Sequence, residues 1–92
     1  MALTSLLQID IRKLLEAMEK KSGISFPREV IEAYLDPGTQ LLHVRFAEPE
    51  STEVGEPLPL KTIVTLFTDD KTHRITALEI IGIDSLMKEI EN

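Results

Sequence analysis

The side chains of this sequence with chemistry in reach are two histidines, an arginine and a handful of carboxylates. His43 and Arg45 stand two apart in the run LLHVRF, His73 opens HRITALEII, Glu79 lies inside that second run, and Asp36 and Asp84 sit beside the turns. A histidine next to a carboxylate is the minimum for proton transfer or metal ligation. On a strand, alternate residues share a face, so His43 and Arg45 point the same way. Glu79 alternates with Ala77 and Ile81 on an apolar stripe; partly buried there, it would need a partner, and Arg45 is long enough to be one.

The same residues argue against a reactive centre. In a simple meander, His43 on the second strand and His73 at the entrance to the fourth would be about 10 Å apart, too far for two ligands of one metal. His43 then reads as a half-buried face residue, His73 as an exposed turn residue, and Glu79 as half of an ion pair rather than a general base. The sequence has no cysteine, hence no thiolate ligand or nucleophile and no disulfide. It has no phosphate-cradling glycine loop and no nucleophile elbow. We expect no cofactor, no metal and no catalytic residue.

The elements that must position these side chains are legible from periodicity. Ser5 with Gln8 forms a capping box, and Leu7, Ile11, Leu14, Leu15 and Met18 recur at helical spacing, ended by Ser22 and Gly23. We expect a helix over 1–23. Pro27 turns the chain extended; Ile31, Ala33 and Leu35 then alternate on one face. In DPGTQ, Pro37 presets a turn and Gly38 is expected to supply a positive φ. Beyond it Leu42, Val44 and Phe46 oppose Leu41, His43 and Arg45.

The stretch AEPESTEVGEPLPL carries Glu48, Glu50, Glu53 and Glu56 among prolines. It reads as a long, exposed surface loop. KTIVTLF and HRITALEII flank the polar turn TDDKT as a second hairpin. Val64 and Leu66 oppose Ile63 and Phe67, and Leu78 and Ile80 oppose Ile75, Ala77 and Ile81. Both sheet faces are therefore partly apolar. The first helix can cover one; the other needs a second subunit, exposure, or a short helix over 84–91, capped by Asp84 and burying Leu86, Met87 and Ile90.

Ninety-two residues, 42% hydrophobic and 28% charged, fit one ordinary globular domain with a modest core that a partner subunit would help. Charged residues interrupt the leucine-rich start, no basic leader precedes it and no cleavage site follows, so we expect neither a targeting signal nor a membrane span, and a cytoplasmic protein. The net charge is −6, and through Phe46 acidic and basic residues balance, so all of the excess negative charge lies beyond. No basic stripe for phosphates is visible, which disfavours direct nucleic-acid binding and permits a basic protein partner.

Asp36, Pro37, Leu41, Leu42, Val44, Arg45 and Phe46, followed by Arg74, Ile75, Leu78, Glu79 and Ile80, resemble the pattern of a small prokaryotic family, domain of unknown function 2283. His43 replaces the family's usual aromatic, Ala77 its frequent glycine, and the loop after Phe46 is longer. The resemblance spans about 30–82. It implies an antiparallel sheet and no established activity; the toxin-like neighbours of some members imply an antitoxin or partner-binding role.

The sequence thus predicts an α+β domain: an N-terminal helix packed on a four-stranded antiparallel β-meander (30–82), with a short C-terminal helix. We expect a homodimer and a non-enzymatic protein-interaction module, antitoxin-like, meeting a basic partner through Glu48, Glu50, Glu53 and Glu56. The alternative left open is a small ligand-binding protein or enzyme using His43, Arg45 and Glu79 on one sheet face.

Overall fold

Alternating apolar residues need a cover on one side only, and the fold is built on that asymmetry. A computed structural model of the chain describes residues 5–91. A 3₁₀ turn (Leu6–Gln8) leads into α1 (Ile11–Ser22); β1 (Glu32–Asp36), β2 (Leu41–Arg45), β3 (Glu53–Pro57), β4 (Ile63–Asp69) and β5 (Ile75–Ile81) follow, and α2 (Ile83–Glu91) closes the chain. The five strands form one antiparallel sheet in the order β1-β2-β5-β4-β3.

The architecture is α+β as expected, but the four-stranded meander is not what forms. The acidic, proline-bearing stretch supplies a fifth strand, β3, which takes the outer edge of β4. Pro57 and exposed Glu56 suit an edge, where a missing donor and a charge are tolerated. With one edge of β4 occupied, β5 hairpins back along the other and receives β2 on its far side. Residues 46–52 therefore cross the end of the sheet, and the first step of that crossing is fixed by Phe46 and Ala47 N–H groups donating to the Thr76 carbonyl at 2.8 and 3.3 Å.

Helix 1–23 is also shorter than expected. The Ser5–Gln8 capping box closes the 3₁₀ turn; α1 has its own cap, Asp10, whose carboxylate accepts from the Lys13 N–H at 3.1 Å. Positions 1–4 of that expectation lie outside the described residues. Gly23, at φ 74°, ends α1 as read. Gly38 does not take the positive φ expected of it; Gln40 does, at φ 57°, closing a four-residue loop in which Asp36 accepts from the Gly38 N–H at 2.9 Å. Asp84 sits inside the first turn of α2 rather than at its cap, which favours the helix through the dipole.

Leu42, Val44, Val64, Leu66, Leu78 and Ile80 form the buried side of the sheet, and Leu14, Leu15 and Met18 of α1 pack on it together with Ile83 and Leu86 of α2. Both helices thus cover the same side, contrary to the idea that the C-terminal helix covers the other. Ile31 lies outside this core, 49% exposed. Ile75 joins it instead of facing the other way with Ala77, because the register steps from Phe67↔Ala77 to Thr68↔Ile75 and leaves Thr76 as the extra residue of a bulge.

Ile80 is fully buried on the central strand and Ile63 is 62% exposed on the uncovered side. Ile80→Ala is expected to cost roughly 2–5 kcal/mol in urea unfolding, whereas Ile63→Ala changes monomer stability by no more than about 0.5 kcal/mol.

Candidate functional site

With the helices on one side, the other side of the sheet is an open face. Its rows follow from the register. Asp36, Leu41, Ile81 and Ile63 form one row; Tyr34, His43, Glu79 and Thr65 the next; Glu32, Arg45, Ala77, Phe67 and Gly55 the third. Tyr34, Ile63 and Ile81 are 53%, 62% and 50% exposed. A side chain at Gly55 would meet the Phe67 ring, with a Cβ only 3.2 Å from its Cε1 and 3.0 Å from Thr65 Cγ2.

His43, Arg45 and Glu79 are brought onto this face together, but in a different pairing from the one expected. His43 lies directly opposite Glu79 because β2 and β5 are neighbours, and Nδ1 stands 3.3 Å from Oε2. Arg45 pairs with Glu53 instead: Nη1 donates to Oε1 at 2.9 Å and to the Ala47 carbonyl at 3.1 Å. The Thr76 hydroxyl, presented by the bulge, donates to the same Glu53 oxygen at 2.7 Å. The hydrogen bond from Arg45 outweighs burial and, with Thr76, holds the Glu53 carboxyl below its ordinary range; reciprocally, Glu53 raises the Arg45 guanidinium.

His73 stays apart. It is an exposed residue of the β4–β5 turn at φ 62°, two residues before β5 begins. Because β5 pairs directly with β2, no third strand stands between the strand of His43 and the one that His73 precedes. Among the described residues no three His, Asp or Glu side chains are grouped so as to hold a metal ion. Four surface clefts of about 410 to 710 Å³ are lined by other residues than His43, Arg45 and Glu79. No helix of the described residues is long and apolar enough to cross a membrane.

Of the four glutamates of the acidic stretch, Glu53 is turned inward to Arg45, while Glu48, Glu50 and Glu56 are exposed. The stretch is held in place by a residue that sequence reasoning passed over as a turn aspartate. Asp69, 1% exposed, accepts from the backbone N–H groups of Glu50, Ser51, Lys71 and Thr72 and from the Ser51 hydroxyl. Burial works to raise its pKa, but the hydrogen bonds from Thr72, Glu50, Lys71 and Ser51 prevail and hold the carboxyl far below the usual carboxylate range. The signal available in sequence was the TDDKT turn, in which an aspartate can bind N–H groups two and three residues on; its grip on 50–51 was not visible.

The chain matches no family model, no curated protein and no solved structure.

The depressed carboxyl of Asp69 fixes the sign of the acid response. An unfolded aspartate titrates near pH 4, so as the pH falls the unfolded chain binds its proton first. The stabilisation is full above about pH 4 and is lost as the pH drops toward the folded value. Asp69→Asn is expected to lower the thermal midpoint at pH 7 and to flatten the fall of stability between about pH 4 and pH 2, read from urea unfolding across that range; an unchanged slope would remove Asp69 from the acid response.

Proposed function

We propose that this protein is a non-enzymatic interaction module that pairs with a second copy of itself through the open sheet face and presents its acidic edge to a basic protein partner. The observation that carries the reading is the exposure of Tyr34, Ile63 and Ile81 on a face that neither helix covers. Leu41 and Phe67, both half-buried, extend the same patch. Exposed apolar residues gathered on one face mark an interaction surface where scattered ones do not.

Size and charge favour a second copy as the occupant. Five strands at about 4.8 Å and five to seven residues at about 3.3 Å give a flat footprint of roughly 500 Å². Stable interfaces bury about 800 Å² per partner, so side-chain relief brings this face to the low end of that class and points to association in roughly the micromolar range. Arg45 on this face already has its carboxylate partner, Glu53, within it, and His43 stands beside Glu79, so neither is brought into the interface without a polar partner; the carboxylates Glu32 and Asp36 lie on the outer strand β1, at the margin of the face. Glu48, Glu50 and Glu56 remain at the rim, on and before the edge strand β3, where an excess of negative charge steers a basic partner. That is the setting of an antitoxin-like protein in the cytoplasm, which the resemblance to the family named above also implies. The pairing of His43 with Glu79 is what favours the second reading, a small ligand-binding or catalytic face.

Sedimentation velocity over about 10–500 µM, the range that brackets so small an interface, should show a dimer for the native chain and a monomer for the Tyr34→Glu/Ile63→Glu variant, with unchanged far-UV circular dichroism. A monomer for the native chain throughout would defeat the pairing. Charge reversal of Glu48, Glu50 and Glu56 should leave the dimer intact and abolish co-purification of a basic partner; retention of that partner would defeat the rim assignment.

A further inference from the structure

Three of the four surface clefts have a glutamate in the wall: Glu89 in that of about 710 Å³, and Glu16 in those of about 520 and 410 Å³. The fourth, of about 500 Å³, has none. It lies where three connections meet: Phe26 and Pro27 come from the segment between α1 and β1, Phe46 from the chain just after β2, and His73 and Arg74 from the turn before β5. Phe26 and Phe46 are buried at the margin of the core and give the cleft an apolar floor, which Pro27 and Ile75 extend.

Above this floor stand exposed Ser25, His73 and Arg74, whose side chains make no hydrogen bond or ion pair with the other described residues. Arg74 differs in this from Arg28 and Arg45, which are held by Glu19 and Glu53. Two carboxylates come near in sequence without entering the wall. Glu19 is taken up by the Phe26 N–H and Arg28, and Glu48, next to Ala47, acts on Arg45. The turn also fixes the backbone of the polar pair: the His73 N–H donates to the Asp69 carbonyl at 2.8 Å, and the Asp69 N–H to the Arg74 carbonyl at 2.9 Å. His73 is thereby held at φ 62°, in the left-handed region that glycine occupies at less cost.

We propose that this cleft binds a small organic carboxylate with an apolar body, the carboxylate meeting Arg74 and the body lying on Phe26, Pro27 and Phe46. A guanidinium with no protein partner presents parallel N–H groups that match a carboxylate, the imidazole of His73 offers an N–H in either tautomer, and the Ser25 hydroxyl can donate as well. The volume lies within the range of roughly 300–1,000 Å³ usual for small-molecule sites, which join apolar walls to a few polar groups. Because the turn is already closed by its own hydrogen bonds, little backbone ordering opposes binding. None of Tyr34, Ile63, Ile81 and the exposed glutamates of the rim lines the cleft, so the site rests neither on the pairing of sheet faces nor on the acidic edge.

The test is a titration of the ¹⁵N-labelled protein with 3-phenylpropionate, at ionic strength held constant by sodium chloride and followed in amide correlation spectra. Saturable shifts centred on the Ser25, Ala47, Arg74 and Ile75 amides are expected. The neutral 3-phenylpropionamide, which lacks the charge, and acetate, which lacks the apolar body, should each bind about tenfold or more weakly. Arg74→Gln should weaken 3-phenylpropionate by about tenfold or more, and His73→Gly, which suits the left-handed backbone, by roughly threefold, both with native spectral dispersion. Shifts that fail to saturate or centre elsewhere, equal binding of the amide or of inorganic phosphate, or unchanged affinity in Arg74→Gln would overturn the assignment.

Discussion

The sheet is joined through its last strand. β1 and β2 form one hairpin and β3 and β4 another, and the two meet only through β5, which pairs with β2 on one side and β4 on the other. Every strand-to-strand relation between the halves of the chain passes through residues 75–81. That constraint explains why β5 is the most buried strand, with Thr76, Ala77, Leu78 and Ile80 all out of solvent. It explains as well why His43 meets Glu79 across a single strand spacing. Gly82 follows at φ 90°, where glycine is at ease; its N–H and that of Ile83 both donate to the Gln40 carbonyl, which locks the exit of β5 to the entry of β2 and starts α2 over the core.

Around this strand, carboxylates hold the connections by accepting from backbone N–H groups. Glu19 takes the Phe26 N–H at 2.6 Å together with Arg28, Asp69 ties the crossing segment to the β4–β5 turn, and Glu89 ties the β3–β4 connection to α2. In Glu19 the bond from Phe26 is the main cause of a lowered pKa. Orphan N–H groups in loops need acceptors, and an ionised carboxylate is a strong one. Part of the acidic excess is therefore structural, while Glu48, Glu50 and Glu56 stay exposed at the surface.

The parts of the fold legible in sequence were those written in local periodicity. Leu42, Val44 and Phe46 against Leu41, His43 and Arg45, and Val64 and Leu66 against Ile63 and Phe67, fall on the sides that alternation assigns them. What escaped was set by long-range choices. Strand order cannot be read from a stretch whose prolines and glutamates suit a loop as well as an edge strand, and β3 alone converts a meander into the observed order. The bulge at Thr76 moved Ile75 to the core, and no residue type announces it. For the site, the shared face of His43, Arg45 and Glu79 was legible from two-residue spacing, whereas their partners were not, because Glu53 reaches Arg45 only once the chain has crossed the sheet end. Lys21, Lys61 and Lys88, which line one of the surface clefts, are scattered through the sequence and converge only in three dimensions.

Gly55 gives the open face its topography. Because no side chain rises there, the Phe67 ring has room beside the backbone of the edge strand. Even one methyl at this position would press on the Phe67 ring and on Thr65 Cγ2 and lift this side of the face like a shim.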